Sequence, residues 1–123
     1  MPDTLIIYSS TDGHTKIICS RLINSFKEGD KVKIISLDEA KKFKLSDFKK
    51  IIIGASIRYG NHSKKLYKFV DLNKDILNQK HGIFFSVNVV ARKPEKSTPD
   101  TNPYIKKFLK ISNWKPKKID VFA

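Results

Sequence analysis

Five short apolar runs, most of them separated by stretches of helical period, constrain this chain more than any other feature. Residues 4–9 (Thr-Leu-Ile-Ile-Tyr-Ser) are apolar without alternation, as strands of a parallel sheet covered on both faces are. Residues 31–36, 50–55, 82–87 and 119–123 repeat the type. Between the first two runs, Ile18, Cys19, Leu22, Ile23 and Phe26 fall at helical spacing from Thr15, and Gly29 suits the stop. A short helical piece is expected around 37–43. A longer helix over 62–77 would carry Leu66, Phe69, Val70, Asn73, Ile76 and Leu77 on one stripe. Residues 91–101 are polar, hold Pro94 and Pro99, and read as a loop. Asn102 followed by Pro103 is an N-cap with proline at the first helical position. That helix shows Ile105, Phe108 and Leu109 and should end before Trp114-Lys115-Pro116. Strand and helix alternating to a fifth strand predict an α/β fold, a doubly wound five-stranded parallel sheet.

The 123 residues fit one domain spanning 1–123, long enough to bury an ordinary core. Apolar runs such as Ile83-Phe84-Phe85 are far too short to cross a bilayer. The N-terminus lacks the basic-then-apolar order of a secretory signal, and Cys19, the only cysteine, can form no intrachain bridge. Together these predict a reducing, cytoplasmic location. The charge is unusual, with 25 Lys and Arg against 12 Asp and Glu, for a net +13. Arg21, Arg58 and Arg92 are the only arginines, so 22 of the cations are lysines. Base readout favours the guanidinium fork, and these lysines are scattered, so nucleic-acid binding ranks last among the readings. The excess fits attraction to anions or membrane surfaces, and equally a chain-wide drift toward Lys, Ile and Asn.

In a doubly wound sheet, ligands bind beyond the carboxyl ends of the strands, where the strand order reverses. For order 2-1-3-4-5 that point lies between strands 1 and 3, so the segments after Ser9, Ala55 and Val87 are the candidates. The first holds Ser10, Thr11, Asp12, Gly13, His14 and Thr15. Hydroxyls, a glycine and helix-terminal N–H groups there suit a phosphate cradle; a plain N-cap by Asp12 or Thr11 is the alternative. It is neither a Walker loop nor GxGxxG. The second holds Ser56, Ile57, Arg58, Tyr59, Gly60 and Asn61, where Tyr59 could stack on a planar ring or merely shield its own loop. The third holds Ser86, Val87, Asn88, Val89, Val90, Ala91 and Arg92. Its backbone amides could bond a ring edge, and Arg92, Lys93 and Lys96 could meet anions or simply be solvated. Taken together, the three segments suit flavin mononucleotide (FMN), with the phosphate in the first and the isoalloxazine between the others.

Residues 8–15 (Tyr-Ser-Ser-Thr-Asp-Gly-His-Thr), 53–60 (Ile-Gly-Ala-Ser-Ile-Arg-Tyr-Gly) and 86–96 (Ser-Val-Asn-Val-Val-Ala-Arg-Lys-Pro-Glu-Lys) resemble the flavodoxin-like, menaquinone-dependent protoporphyrinogen IX dehydrogenases. The likeness continues through 98–102, 107–109 and 114–116, and so covers essentially the whole chain. It implies a flavodoxin-like fold, bound FMN, and oxidation of protoporphyrinogen IX to protoporphyrin IX in haem synthesis. Electrons would pass to a quinone, menaquinone or ubiquinone, with peripheral contact at the inner face of the membrane left open. Carried over by position, residues 10–15 would hold the phosphate, and 56–61, chiefly Tyr59, with 86–92 would frame the ring. No general base and no metal ligand is assigned: His14, His62 and His81 read as loop or helix-start residues, and Cys19 as a core thiol. Members of this family continue past the fifth strand into an inserted loop, the rest of that strand and a closing C-terminal helix. This chain stops at Ala123 without that helix, so apolar side chains of strands 1, 3 and 4 are expected to face water on one side. Two further readings compete: an FMN-dependent NAD(P)H:quinone reductase, and a flavin-binding remnant without turnover.

Overall fold

The computed structural model describes residues 4–9, 32–56, 64–87 and 102–122. Five parallel strands form one sheet: β1 (Thr4–Ser9), β2 (Val32–Ser36), β3 (Lys50–Ser56), β4 (His81–Val87) and β5 (Lys118–Phe122). Their order is β2-β1-β3-β4-β5, as the sequence predicts. The expected strands 2, 3 and 4 shift by one residue at an end, and the fifth begins one residue early. His81, expected in a loop or helix start, opens β4, where its N–H donates to Lys49 O at 3.3 Å.

Period-two alternation divides β1 to β4 between two cores. On one face, Leu5, Ile7, Ile35, Ile51, Ile53 and Phe84 pack with the apolar stripes of the described helices. These are α1 (Lys64–Leu72), α2 (Lys74–Gln79) and α3 (Pro103–Ile111). On the opposite face, Ile6, Ile52 and Phe85 form a second cluster flanked by Tyr8, Val32, Ile34 and Ile83.

The helix expected over 62–77 is two helices. Asn73 has left the α region, with φ −115° and ψ 13°, and its Nδ2 donates to Phe69 O at 2.8 Å. An asparagine amide competes with the backbone for helical carbonyls, and here it interrupts the run. The stripe survives the break: Leu66, Phe69, Val70 and Leu77 are all buried. The piece around 37–43 is a 3-10 turn, Glu39–Lys42, and a second, unforeseen turn follows at Leu45–Asp47. Ser36 and Glu39 bond reciprocally: Glu39 N–H donates to Ser36 Oγ at 3.2 Å, and Ser36 N–H to Glu39 Oε1 at 3.2 Å. This is the pairing of a capping box.

The Asn102 cap is as expected. Its Oδ1 accepts from the N–H of Tyr104 (3.1 Å) and of Ile105 (3.4 Å). Beyond α3, Trp114 is fully buried and meets Phe84 and Phe108 edge-on, each at 6.3 Å between centroids, while those two rings stack at 3.9 Å. Gly82 makes room for the indole, since a Cβ there would stand 2.8 Å from Trp114 Cζ2. Each buried aromatic removes roughly 150–250 Å² from water, worth on the order of 4–6 kcal/mol at 25 cal/mol/Å².

The expectation of apolar side chains left facing water fails at the centre of the sheet. Ile6, Ile52 and Phe85 are only 0%, 4% and 1% exposed. Part of the reason lies within the sheet: Phe85 pairs in register with Gly54, and its ring lies where a Cβ of residue 54 would be. The absence of a side chain at residue 54 makes room for the phenyl ring over the neighbouring strand.

Candidate functional site

The carboxyl ends of β1, β3 and β4 lie side by side. Ser9 pairs with Ala55, Ala55 with Ser86, and Ser56 with Val87. With neighbouring strands about 4.8 Å apart, the outer two of these three ends are separated by only about 10 Å. The chain leaves β1 to return as β2 on one side, while β3 leads to β4 and β5 on the other, so the order reverses between β1 and β3. A crevice at such a reversal is the site this sheet type offers to a ligand.

Of the candidate residues, Ser56, Ser86 and Val87 are in the described part. Ser56 closes β3, and its Oγ donates to Ser9 O at 3.4 Å, tying the tips of β3 and β1 together across the reversal. Ser86 is fully buried near the end of β4. Val87 is the last residue of that strand. Ser10, Thr11, Asp12, Gly13, His14 and Thr15 lie outside the described residues, as do Ile57, Arg58, Tyr59, Gly60 and Asn61, and Asn88, Val89, Val90, Ala91 and Arg92. Each of these segments begins directly after one of the three adjacent strand ends, so their starting points meet at one edge of the sheet.

One titrating group in the described part departs from its ordinary behaviour. Burial pushes the Tyr67 phenol up; it lies on α1, beside Phe108 at 5.8 Å between centroids, away from the strand tips. The described residues show no helix long and apolar enough to cross a membrane.

The structure also reveals a feature that residue spacing alone did not indicate. Between the β2–β3 connection and α1 lies a groove of about 600 Å³, lined by Leu37, Ala40, Phe43, Leu45, Phe69 and Leu72 together with Asp38, Lys41, Lys65 and Lys68. It shares no residue with the three candidate segments.

Comparison with known proteins gives this architecture a family. Residues 5–123 match the family model of the flavodoxin domain. A protoporphyrinogen IX dehydrogenase [quinone] of Escherichia coli (strain K12) is 40% identical over 121 residues, which is 98% of this chain and 67% of that protein. The protein of the same name from Leishmania major is 39% identical over 99% of this chain and 54% of its own length. The chain therefore spans between about half and two-thirds of these relatives. Among solved structures, Megasphaera elsdenii flavodoxin in its two-electron reduced form superposes with a TM-score of 0.71 at 12% identity, covering 97% of this chain and 85% of that one. A Lactobacillus acidophilus flavoprotein in complex with FMN gives 0.68 at 14% identity, covering 98% and 93%. At such identities these two show the shared fold. By its family match and by its identity to the Escherichia coli relative over almost its entire length, the chain belongs to the flavodoxin-domain family, in the branch of the protoporphyrinogen IX dehydrogenases [quinone].

Proposed function

We propose that this chain binds FMN in the crevice at the ends of β1, β3 and β4, and that it oxidises protoporphyrinogen IX to protoporphyrin IX with a quinone as acceptor. The observation that carries this reading is the 40% identity over 98% of the chain to a relative of that name. The adjacency of the three strand ends supports it, because it lets segments distant in sequence frame one planar cofactor. Each two-electron step removes two hydrogens from the porphyrinogen and converts one quinone to its quinol.

FMN, when bound, supplies the two-electron redox chemistry that no side chain offers. The chain's own residues bind and orient. Ser10, Thr11 and Thr15 would donate hydroxyls to the phosphate, with Gly13 admitting it to the backbone. Tyr59, with Ser56–Asn61, and Ser86–Arg92 would border the ring on either side. The Ser56–Ser9 bond ties the β1 and β3 tips together at the point where the first and second segments begin. Menaquinone and ubiquinone are lipid-dissolved, so the reading includes a cytoplasmic protein touching the inner membrane surface; a net charge of +13 favours an anionic leaflet.

The test is optical first. Purified protein should absorb near about 370 and 450 nm, as flavoproteins do, and heat should release FMN and not FAD. Thr15→Ala and Gly13→Val should lose cofactor, while His81→Ala, exposed at the far end of β4, retains it. Anaerobic oxidation of protoporphyrinogen IX with menaquinone or ubiquinone should exceed a control of buffer plus FMN. A colourless protein, or equal cofactor retention in all three variants, refutes the crevice. A yellow protein with no turnover above the control refutes the activity.

A further inference from the structure

The groove beside α1 has the make-up of a second ligand site. Its floor is apolar and buried, with Leu37, Ala40, Leu45 and Phe69 at most 9% exposed. The β2–β3 connection that borders it is made of two 3-10 turns. The first turn packs on β2 and the second on α2, and the groove lies between this connection and α1. Lys65, Lys68 and Leu72 follow at spacings of three and four, which places them along one edge of that helix. Lys41 faces them from the first turn, and Leu72, 74% exposed, forms the lip. Over about 10 Å of helix the lining changes from cationic at Lys65 to apolar at Leu72.

Charge within the groove is unequal. Asp38 is the one acidic lining residue, and its Oδ1 lies 3.8 Å from Lys65 Nζ. Among the described residues no ion pair engages Lys41 or Lys68. Two cations thus stand above a buried hydrocarbon floor, in a volume within the usual range of small-molecule sites. Exposed lysines on a flat surface carry no such meaning; here the apolar floor selects what the charge attracts.

We propose that this groove binds a single amphipathic carboxylate, an acyl chain of medium length whose head group lies between Lys41 and Lys68 and whose tail covers Leu37, Leu45 and Phe69. The site is independent of the flavin crevice, and its occupancy requires no redox turnover.

Titration calorimetry with dodecanoate below its micellar concentration tests this on the purified chain. One molecule should bind per chain, with a negative heat-capacity change from apolar burial. Lys41→Glu combined with Lys68→Glu should weaken binding by about tenfold or more, through loss and reversal of the two attractive charges. Both positions are exposed, and unchanged circular dichroism and Trp114 emission would show that the fold survives. Dodecyltrimethylammonium, with the same tail and opposite charge, should bind at least tenfold more weakly than dodecanoate. Equal binding of the two amphiphiles overturns the proposal, as does unchanged dodecanoate affinity in the double variant. If dodecanoate fails to bind while vesicles containing anionic lipid bind and the double variant abolishes it, the groove is a membrane-docking edge and the proposal is wrong. None of these results bears on FMN retention, so failure here is distinguishable from failure of the proposed function.

Discussion

Replacing Gly54 with alanine sets two effects of opposite sign against each other. Glycine inside a strand costs roughly 0.5–1 kcal/mol relative to alanine, so propensity alone predicts that the substitution stabilises. The structure predicts the reverse. A Cβ at residue 54 would overlap Cζ, Cε1 and Cε2 of Phe85. Non-bonded carbons rest about 3.5–4.0 Å apart, so the ring must move by roughly an ångström or more. It has nowhere close to go, being 1% exposed and clustered with Ile6 and Ile52. Overpacking of this kind costs about 1–3 kcal/mol, and with the whole ring edge displaced the upper figure applies. The net expectation is a destabilisation of about 2 kcal/mol once the propensity gain is subtracted. Urea unfolding followed by emission of Trp114, the single tryptophan and fully buried, measures it directly. Phe85→Ala alone should cost about 3–5 kcal/mol, and Gly54→Ala added to it should then cost nothing or stabilise. A Gly54→Ala protein as stable as the parent, or strictly additive costs in the double variant, would refute the packing assigned to this face.

Three other outcomes can be checked with less effort. Asn102→Ala should lower stability by about 1–2 kcal/mol by removing the acceptor for the Tyr104 and Ile105 amides, and Asn102→Asp should recover most of it; thermal melts decide. Tyr67→Phe should alter the alkaline limb of the stability profile. Because burial raises the folded-state pKa, the unfolded chain ionises first as pH passes about 10, and the parent loses stability there while the variant escapes that loss. If the stability difference between the two stays constant from pH 8 to about 11, the assignment of burial as the cause is wrong. Gly82→Ala should also destabilise, since a methyl 2.8 Å from the Trp114 ring forces the indole off Phe84 and Phe108, and a red shift of its emission would report the displacement.

The site was legible in one respect. The continuous apolar character of residues 4–9, 50–55 and 82–87 marked parallel strands, and for the expected order 2-1-3-4-5 the segments after Ser9, Ala55 and Val87 then start from neighbouring strand ends. The recorded pairing agrees, Ser9 with Ala55 and Ala55 with Ser86. The groove was not legible: Lys41, Lys65 and Lys68 are three of 22 lysines, and only the path of the β2–β3 connection brings the first opposite the other two. The end of α1 was misjudged for a related reason. Asn73 fits a helical stripe by spacing, and the competing bond from its amide to Phe69 O is visible only once the backbone is in place.

What the order of residues settled by itself was the number of strands, their parallel course, the stripes of α1 and α3 and the cap at Asn102. The stripes and the cap depend on neighbours within a few positions, where periodicity and local hydrogen bonding act directly, and the parallel course follows from the alternation of strand and helix along the chain. What tertiary structure alone decided was the closing of Phe85 over Gly54, the seating of Trp114 against Gly82, and the gathering of lysines around an apolar floor. Each of those contacts joins residues more than 20 positions apart, and its energy comes from excluded volume and shared burial that no local pattern encodes.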